Sequence, residues 1–201
     1  MSPLLRTPVP GRDRSWREAS LVALDFEATS HHTGSAEALS VGWVGIEGGR
    51  VRCAETGYTL VRHGGGPHDT IPVHGLTPAL LAEAPPAAEV AARLAEAVTG
   101  RVLVAHHAPL ELALLARWDL APLGVVDTAA LVRRLDARAG HAAPEGRLRD
   151  AARRHGVPPH AAHHAFGDAW ATALLLISIA GDLEAQRGRC LLDDLLRLGK
   201  P

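Results

Sequence analysis

Hydrophobic residues fill positions 21–24 of the segment "LVALDFEATS" and then give way to alternation, with Asp25 and Glu27 interrupting the run just before the polar exit "TSHHTG". A continuous apolar start predicts a strand covered on both faces. Residues two apart in an extended chain point the same way, so the two carboxylates share one face near the strand's end. Neighbouring anions repel, and partly buried ones must share a proton, meet a cation or stay wet. "ALSVGWVGI" and "VRCAETGYTLV" predict two further strands, joined by the glycines of "EGGR" in a tight hairpin turn. The first half therefore opens as an antiparallel meander.

From Thr77 the period lengthens. "TPALLAEAPPAAEVAARLAEAVTG" predicts a short helix and a longer one, broken at Pro85 and Pro86 and closed by Gly100. "RVLVAHH" predicts a buried strand running into the helix "APLELALLARW", where Pro109 suits the first turn and Leu110, Leu114 and Trp118 keep helical spacing. "LGVVDTAALVRRLDA" repeats strand then helix, "GRLRDAARRHGV" adds a helix, and "HHAFGDAWATALLLISIAGDLEAQRG" gives a long one. A meander followed by alternating strands and helices implies an α/β fold: a mixed sheet with helices on both faces. Residues 1–18 read as a flexible arm, 19–186 as one domain and 187–201 as a short C-terminal helix.

Bulk composition narrows the function. At 201 residues and 47% hydrophobic content the chain can bury a sizeable core. A net charge of −1 supplies no global field for a polyanion, so such a partner needs a local patch or bound cations. Seven aromatic residues favour a grip on a short nucleic-acid end over a long stacking groove. Two cysteines, Cys53 and Cys190, make no disulfide framework or zinc cluster, and a reducing interior fits them. The N-terminus lacks a signal-peptide core, and "WATALLLISIA" is too short to span a bilayer, so the expected setting is cytoplasmic, with no membrane partner. The glycine-rich "VRHGGGPHDTIP" lacks the ending of a phosphate-binding loop and reads as turn chemistry.

Four acids stand at element ends beside apolar runs: Asp25, Glu27, Glu111 and Asp168. Groups at the carboxyl ends of neighbouring parallel strands face one crevice, and an all-oxygen set suits hard cations such as magnesium or manganese. Taken singly, each has a plainer role: Glu111 as a helix-start acid, Asp168 as a solvated helix residue.

Together these segments resemble a known family. "LVALDFEATS", "VLVAHHAPLELALL" and "HHAFGDAWATALLL" follow the order and spacing of the three motifs of the DEDD 3′–5′ exonucleases, histidine-containing branch, with the third matching at His163, Ala165, Gly167, Asp168 and Ala169. "IPVHGLTPALL" and "VVDTAALVRRLD" are similar to connecting segments of the proofreading, epsilon-subunit-like domains of bacterial DNA polymerase III. The resemblance spans roughly residues 18–186 and implies an RNase H-like five-stranded fold. It implies hydrolysis of nucleic acid from its 3′ end to nucleoside 5′-monophosphates by two divalent ions, single-stranded DNA being favoured. Asp25 would bridge the ions, with Glu27, Glu111 and Asp168 completing the sites. His163 would deprotonate the water, and an ordinary imidazole pKa of ~6.5 suits that task. Helical spacing alone pairs Asp168 with His164 instead, one turn away.

For substrate contact the resemblance points to the backbone around Phe26, Ala28 and Thr29, and to His74. Residue alternation gives Phe26 a second role, in the core opposite Asp25. Three positions of the second motif depart from the family, whose asparagine, aromatic residue and aspartate are here His107, Leu110 and Glu111. Glutamate keeps the charge but moves it outward by one methylene, which favours the more permissive manganese. An exoribonuclease trimming oligonucleotides would use the same site, and a weakened member would bind nucleic-acid ends or a protein. The sequence leaves open a polymerase partner and a homodimer seam on the leucines of "CLLDDLLRLG". Seven arginines between Arg133 and Arg154 offer a landing surface for phosphates.

Overall fold

The computed structural model describes residues 9–65, 70–140, 146–158 and 162–201. Five strands form one sheet: β1 (Leu21–Ala28), β2 (Ala38–Glu47), β3 (Arg50–Leu60), β4 (Val102–Ala105) and β5 (Gly124–Asp127), in the order β3-β2-β1-β4-β5. The meander β1–β2–β3 is antiparallel, and β4 and β5 continue the sheet parallel to β1. Gly48 and Gly49 make the β2–β3 turn with φ of 62° and 71°, values that an L side chain resists.

Eight helices surround the sheet among the described residues: α1 (Ile71–His74), α2 (Pro78–Ala82), α3 (Ala87–Val98), α4 (Pro109–Arg117), α5 (Thr128–Arg138), α6 (Leu148–Arg154), α7 (Ala165–Arg187) and α8 (Leu192–Leu198). The alternation of β1 builds two cores at once. Leu21 and Ala23 face the layer of α5, α6, α7 and α8, where Leu131, Ala151, Leu175, Leu176 and Leu195 are buried. Val22, Leu24 and Phe26 face α3 and α4, against Val90, Leu94, Leu114 and Leu115. This is the expected mixed sheet with helices on both faces. By length and composition α7 could cross a membrane, yet half of its most apolar window is buried inside the domain.

The expected arm is packed from residue 9 onward, and residues 1–8 lie outside the described ones. Trp16, in a 3-10 turn over Trp16–Glu18, is 0% exposed and joins the α7 core. Ser15 bridges to Leu191, the Trp16 N–H donates to the Cys190 carbonyl, and Arg12 pairs with Asp193. A large apolar side chain inside an otherwise polar segment supplies about 2 kcal/mol or more on burial, enough to dock its neighbours. The same docking uses the leucines that suggested a dimer seam: Leu192, Leu195 and Leu198 are buried within the domain. Of the glycine-rich loop, residues 66–69 lie outside the described residues.

Candidate active site

β1 delivers Asp25 and Glu27 to the α7 face. Asp25 lies opposite Gly42 and Glu27 opposite Ser40 on β2, and the ladder slips by one residue between Glu27 and Ala28, a bulge at the site's edge. Gly42 admits the third acid. A side chain there would run into the backbone of Ala165 and Phe166, 2.4–2.5 Å from an ideal Cβ, so only glycine lets the first turn of α7 rest directly on the sheet. Asp168, one turn further on, then meets the pair: carboxylate oxygens of Asp25, Glu27 and Asp168 all lie within 4.8 Å of one another.

Glu111 comes from the other side of β1, at the start of α4, and is 4% exposed. Its charge reaches Asp25, but it lies outside that close trio, and its Oε2 is buried with no hydrogen-bond partner. Asp127, at the end of β5, fixes the α4 start. Its Oδ1 accepts from the N–H groups of His107, Ala129 and Ala130, and its Oδ2 from that of Ala108, so one carboxylate caps α5 and holds the two residues that lead into α4.

Crowding shows in the titration of the acids. Burial first, then the charges of Glu111, Asp168 and Glu27, hold Asp25 well above the carboxylate range. Burial, with Asp168 adding, raises Glu27 to about 7. Glu111 is pushed up to about 8 by burial, with Asp127 and Glu27 adding and backbone N–H groups of Glu111 and Phe26 opposing. Four crowded carboxyl groups, one with an orphaned buried oxygen, fit a hard divalent cation, because the donor set is all oxygen and acids this close favour a shared positive charge.

The histidines divide by position. His163 lies in the exposed turn ahead of α7, left-handed at φ 59°, and its N–H donates to Asp168 Oδ2 at 2.9 Å. His164 is the extended residue before the helix and stacks on Tyr58. His164 and Asp168 are linked through the backbone, the Asp168 N–H donating to the His164 carbonyl at 3.0 Å. His106 is neutral at physiological pH, held down at about 4 by burial. It and His107 each place Nε2 2.8 Å from the Gly146 carbonyl.

The substrate-contact residues sit along the rim. The Phe26 ring is buried, edge-on to Trp118 at 5.5 Å, so only its backbone faces the site. Thr29 pairs with Glu37, its N–H donating to the Glu37 carbonyl and its hydroxyl accepting from the Glu37 N–H. His74 accepts from the Leu76 N–H at Nδ1, which places its proton on Nε2, toward Thr70 Oγ1 at 3.0 Å. That hydroxyl donates to the Ala28 carbonyl, tying α1 to the end of β1.

Comparison with known proteins now bears on this geometry. Residues 22–176 match the family described as exonuclease, RNase_T. The chain belongs to this exonuclease family. A DNA polymerase III subunit epsilon-like protein of Rhodobacter capsulatus is 36% identical over 172 residues, 83% of this exonuclease chain and 24% of the relative. The chain thus spans about a quarter of that curated protein's length. Among solved structures, E. coli exonuclease I in complex with single-stranded DNA superposes with a TM-score of 0.69 at 16% identity, over 86% of this chain and 42% of that one. Exonuclease X in complex with 5′-overhanging duplex DNA gives 0.66 at 19% identity, over 89% and 99%. The exonuclease fold is shared, and it is RNase H-like.

Three contributors escape a reading of the chain alone. Gly42 leaves a trace, since an isolated glycine inside a strand signals close backbone approach. Asp127 leaves another, an acid just ahead of a helical run. Tyr58 leaves none, because its place in the same row as Asp25 depends on strand register.

Proposed function

We propose that this exonuclease removes nucleotides from the 3′ end of single-stranded DNA, releasing nucleoside 5′-monophosphates with two divalent ions, magnesium or manganese. The observation that carries the reading is the convergence of Asp25, Glu27 and Asp168 within 4.8 Å, beside the buried, half-unpartnered Glu111. Divalent cations bound there would stabilise charge on the attacking and departing oxygens of the phosphodiester. Asp25, central in the cluster, would be shared between the ions, with Glu27 and Asp168 on one side and Glu111 on the other. His163 would take the proton of the attacking water, its loop held by the bond from its own N–H to Asp168.

The rim supports a strand end. Backbone groups from Phe26 to Thr29, buttressed by His74 through Thr70, would hold the terminal nucleotide. Arg133 and Arg154 line a recess with His106 and His107 beyond β4, where they would attract phosphates further along the strand. DNA is favoured because the solved neighbours named above hold DNA and the curated relative is named for a DNA polymerase subunit.

The test is digestion of 3′- and 5′-labelled single-stranded DNA and RNA with magnesium, manganese or chelator. Stepwise shortening of 5′-labelled DNA with metal, faster than RNA and absent with chelator, is the expected outcome. Shortening from the 5′ end, or metal-independent cleavage, would overturn the proposal.

A further inference from the structure

The chain has a single tyrosine, and the fold places it beside the carboxylates. Tyr58 on β3 lies opposite Gly42, which lies opposite Asp25, so the three occupy one row and Tyr58 leaves the sheet on the same face as Asp25. The backbone of Ala165 and Phe166 fills the space over Gly42. The start of α7 therefore lies in a notch, with Asp25 on one side and Tyr58 on the other. Asp168 reaches to the first wall. His164 reaches to the second, its ring stacked on Tyr58 at 4.5 Å between centroids and 25° between planes.

The pairing bears on His163. That residue holds a left-handed backbone, which costs a non-glycine residue energy and persists only where neighbours enforce it. Enforcement comes from two points: the Asp168 carboxylate on the His163 N–H, and Tyr58 on the ring of the next residue. Tyr58 is 38% exposed, and burial together with the Glu27 charge raises its phenol above the usual value. One face of the ring is already occupied by His164.

We propose that Tyr58 is a positioning residue that, by stacking on His164, holds the 163–164 junction so that His163 faces the metal-binding carboxylates. The proposal rests on the exonuclease reading and on His163 as its base. Tyr58 touches no reacting atom. It acts through the backbone of two consecutive histidines, so its removal lowers turnover while leaving substrate binding in place.

The experiment uses the full chain, manganese and a 5′-labelled single-stranded oligonucleotide, with Tyr58→Phe, Tyr58→Leu and Tyr58→Ala made in the wild type and in a His163→Ala background. Losing one aromatic stack biases a loop by a factor of roughly 3 to 10. A fall of that size in kcat is expected for Tyr58→Ala and Tyr58→Leu, with KM within about twofold, and Tyr58→Phe should behave as wild type. In the His163→Ala background the same changes should have no further effect. Tyr58→Leu keeps apolar bulk and serves if the alanine variant does not fold. A rise in KM at constant kcat would make Tyr58 a substrate contact and overturn the proposal, as would an undiminished kcat or an equal fall without His163. An inactive wild type, or an active Asp25→Asn control, is a separate result that removes the exonuclease reading and this proposal with it.

Discussion

Raising the pH of the metal-free protein should weaken its fold, opposite to a protein whose carboxylates are paired with cations. Glu27 titrates at about 7 and Glu111 at about 8, both above the ordinary 4.5. A raised acid binds its proton more tightly in the folded state, so stability is full below about pH 4.5 and is lost as pH rises through the folded values. At about 1.4 kcal/mol per pKa unit, Glu27 alone accounts for a loss of roughly 3 kcal/mol. Glu111 adds to it, but its shift includes a small contribution from the Glu27 charge and neither titration is complete within the range, so the joint loss between about pH 5 and pH 8.5 is on the order of 4 to 6 kcal/mol. For a chain of this size that lowers Tm by about 10 °C between about pH 5 and pH 8.5. The assay is thermal unfolding followed by circular dichroism across that range, in chelator and in millimolar manganese. Manganese should erase most of the slope by supplying counter-charge, and Glu111→Gln should remove the Glu111 part of it without metal, leaving that of Glu27. A metal-free Tm that holds level or climbs over the same range would refute the reasoning.

Asp25→Ala and Asp168→Asn should abolish nucleotide release while raising metal-free Tm at about pH 8, read by one gel and one melting curve. His163→Ala should cut kcat by roughly 10² to 10⁴-fold. His164→Ala should cost no more than loss of the Tyr58 stack, and the reverse ranking would move the base to His164. Glu111→Gln should sharply reduce the initial rate at limiting metal, and Glu111→Asp should narrow a preference for manganese over magnesium; a metal titration of all three proteins reads both. Gly42→Ala should destabilise by roughly 1–3 kcal/mol through overpacking and weaken metal binding, because α7 must lift away from β1. Unchanged metal affinity in that variant would mean that the helix start tolerates displacement.

The strands and helices were readable because each repeats a hydrophobic period, and the four acids because they break such a period at an element's end. Trp16 was missed for the converse reason: one aromatic residue among arginines and prolines shows no period, and its burial depends on meeting Cys190 and Leu192 from the far end of the chain. The short helix α1 was also missed, since "IPVH" spans one turn. What separates Glu111 from the close trio is likewise invisible in the sequence. It follows from α4 approaching β1 on the face opposite α7, with Asp127 fixing its start.

Under the proposed metal-dependent reading, the contact of α7 with Gly42 would bear on which ion is preferred. Backbone rests on backbone there, and the two acids it brings together are aspartates, short and with few torsions, so side-chain rotation can widen the gap between Asp25 and Asp168 less than it could between glutamates. The other two are glutamates, each with an additional rotatable bond. One half of the cluster therefore behaves as a fixed jaw and the other as a compliant one. With divalent cations bound as proposed, exchange of one for another of different radius would fall more on Glu27 and Glu111, and discrimination between ions would depend on the entropy those two side chains surrender on closing.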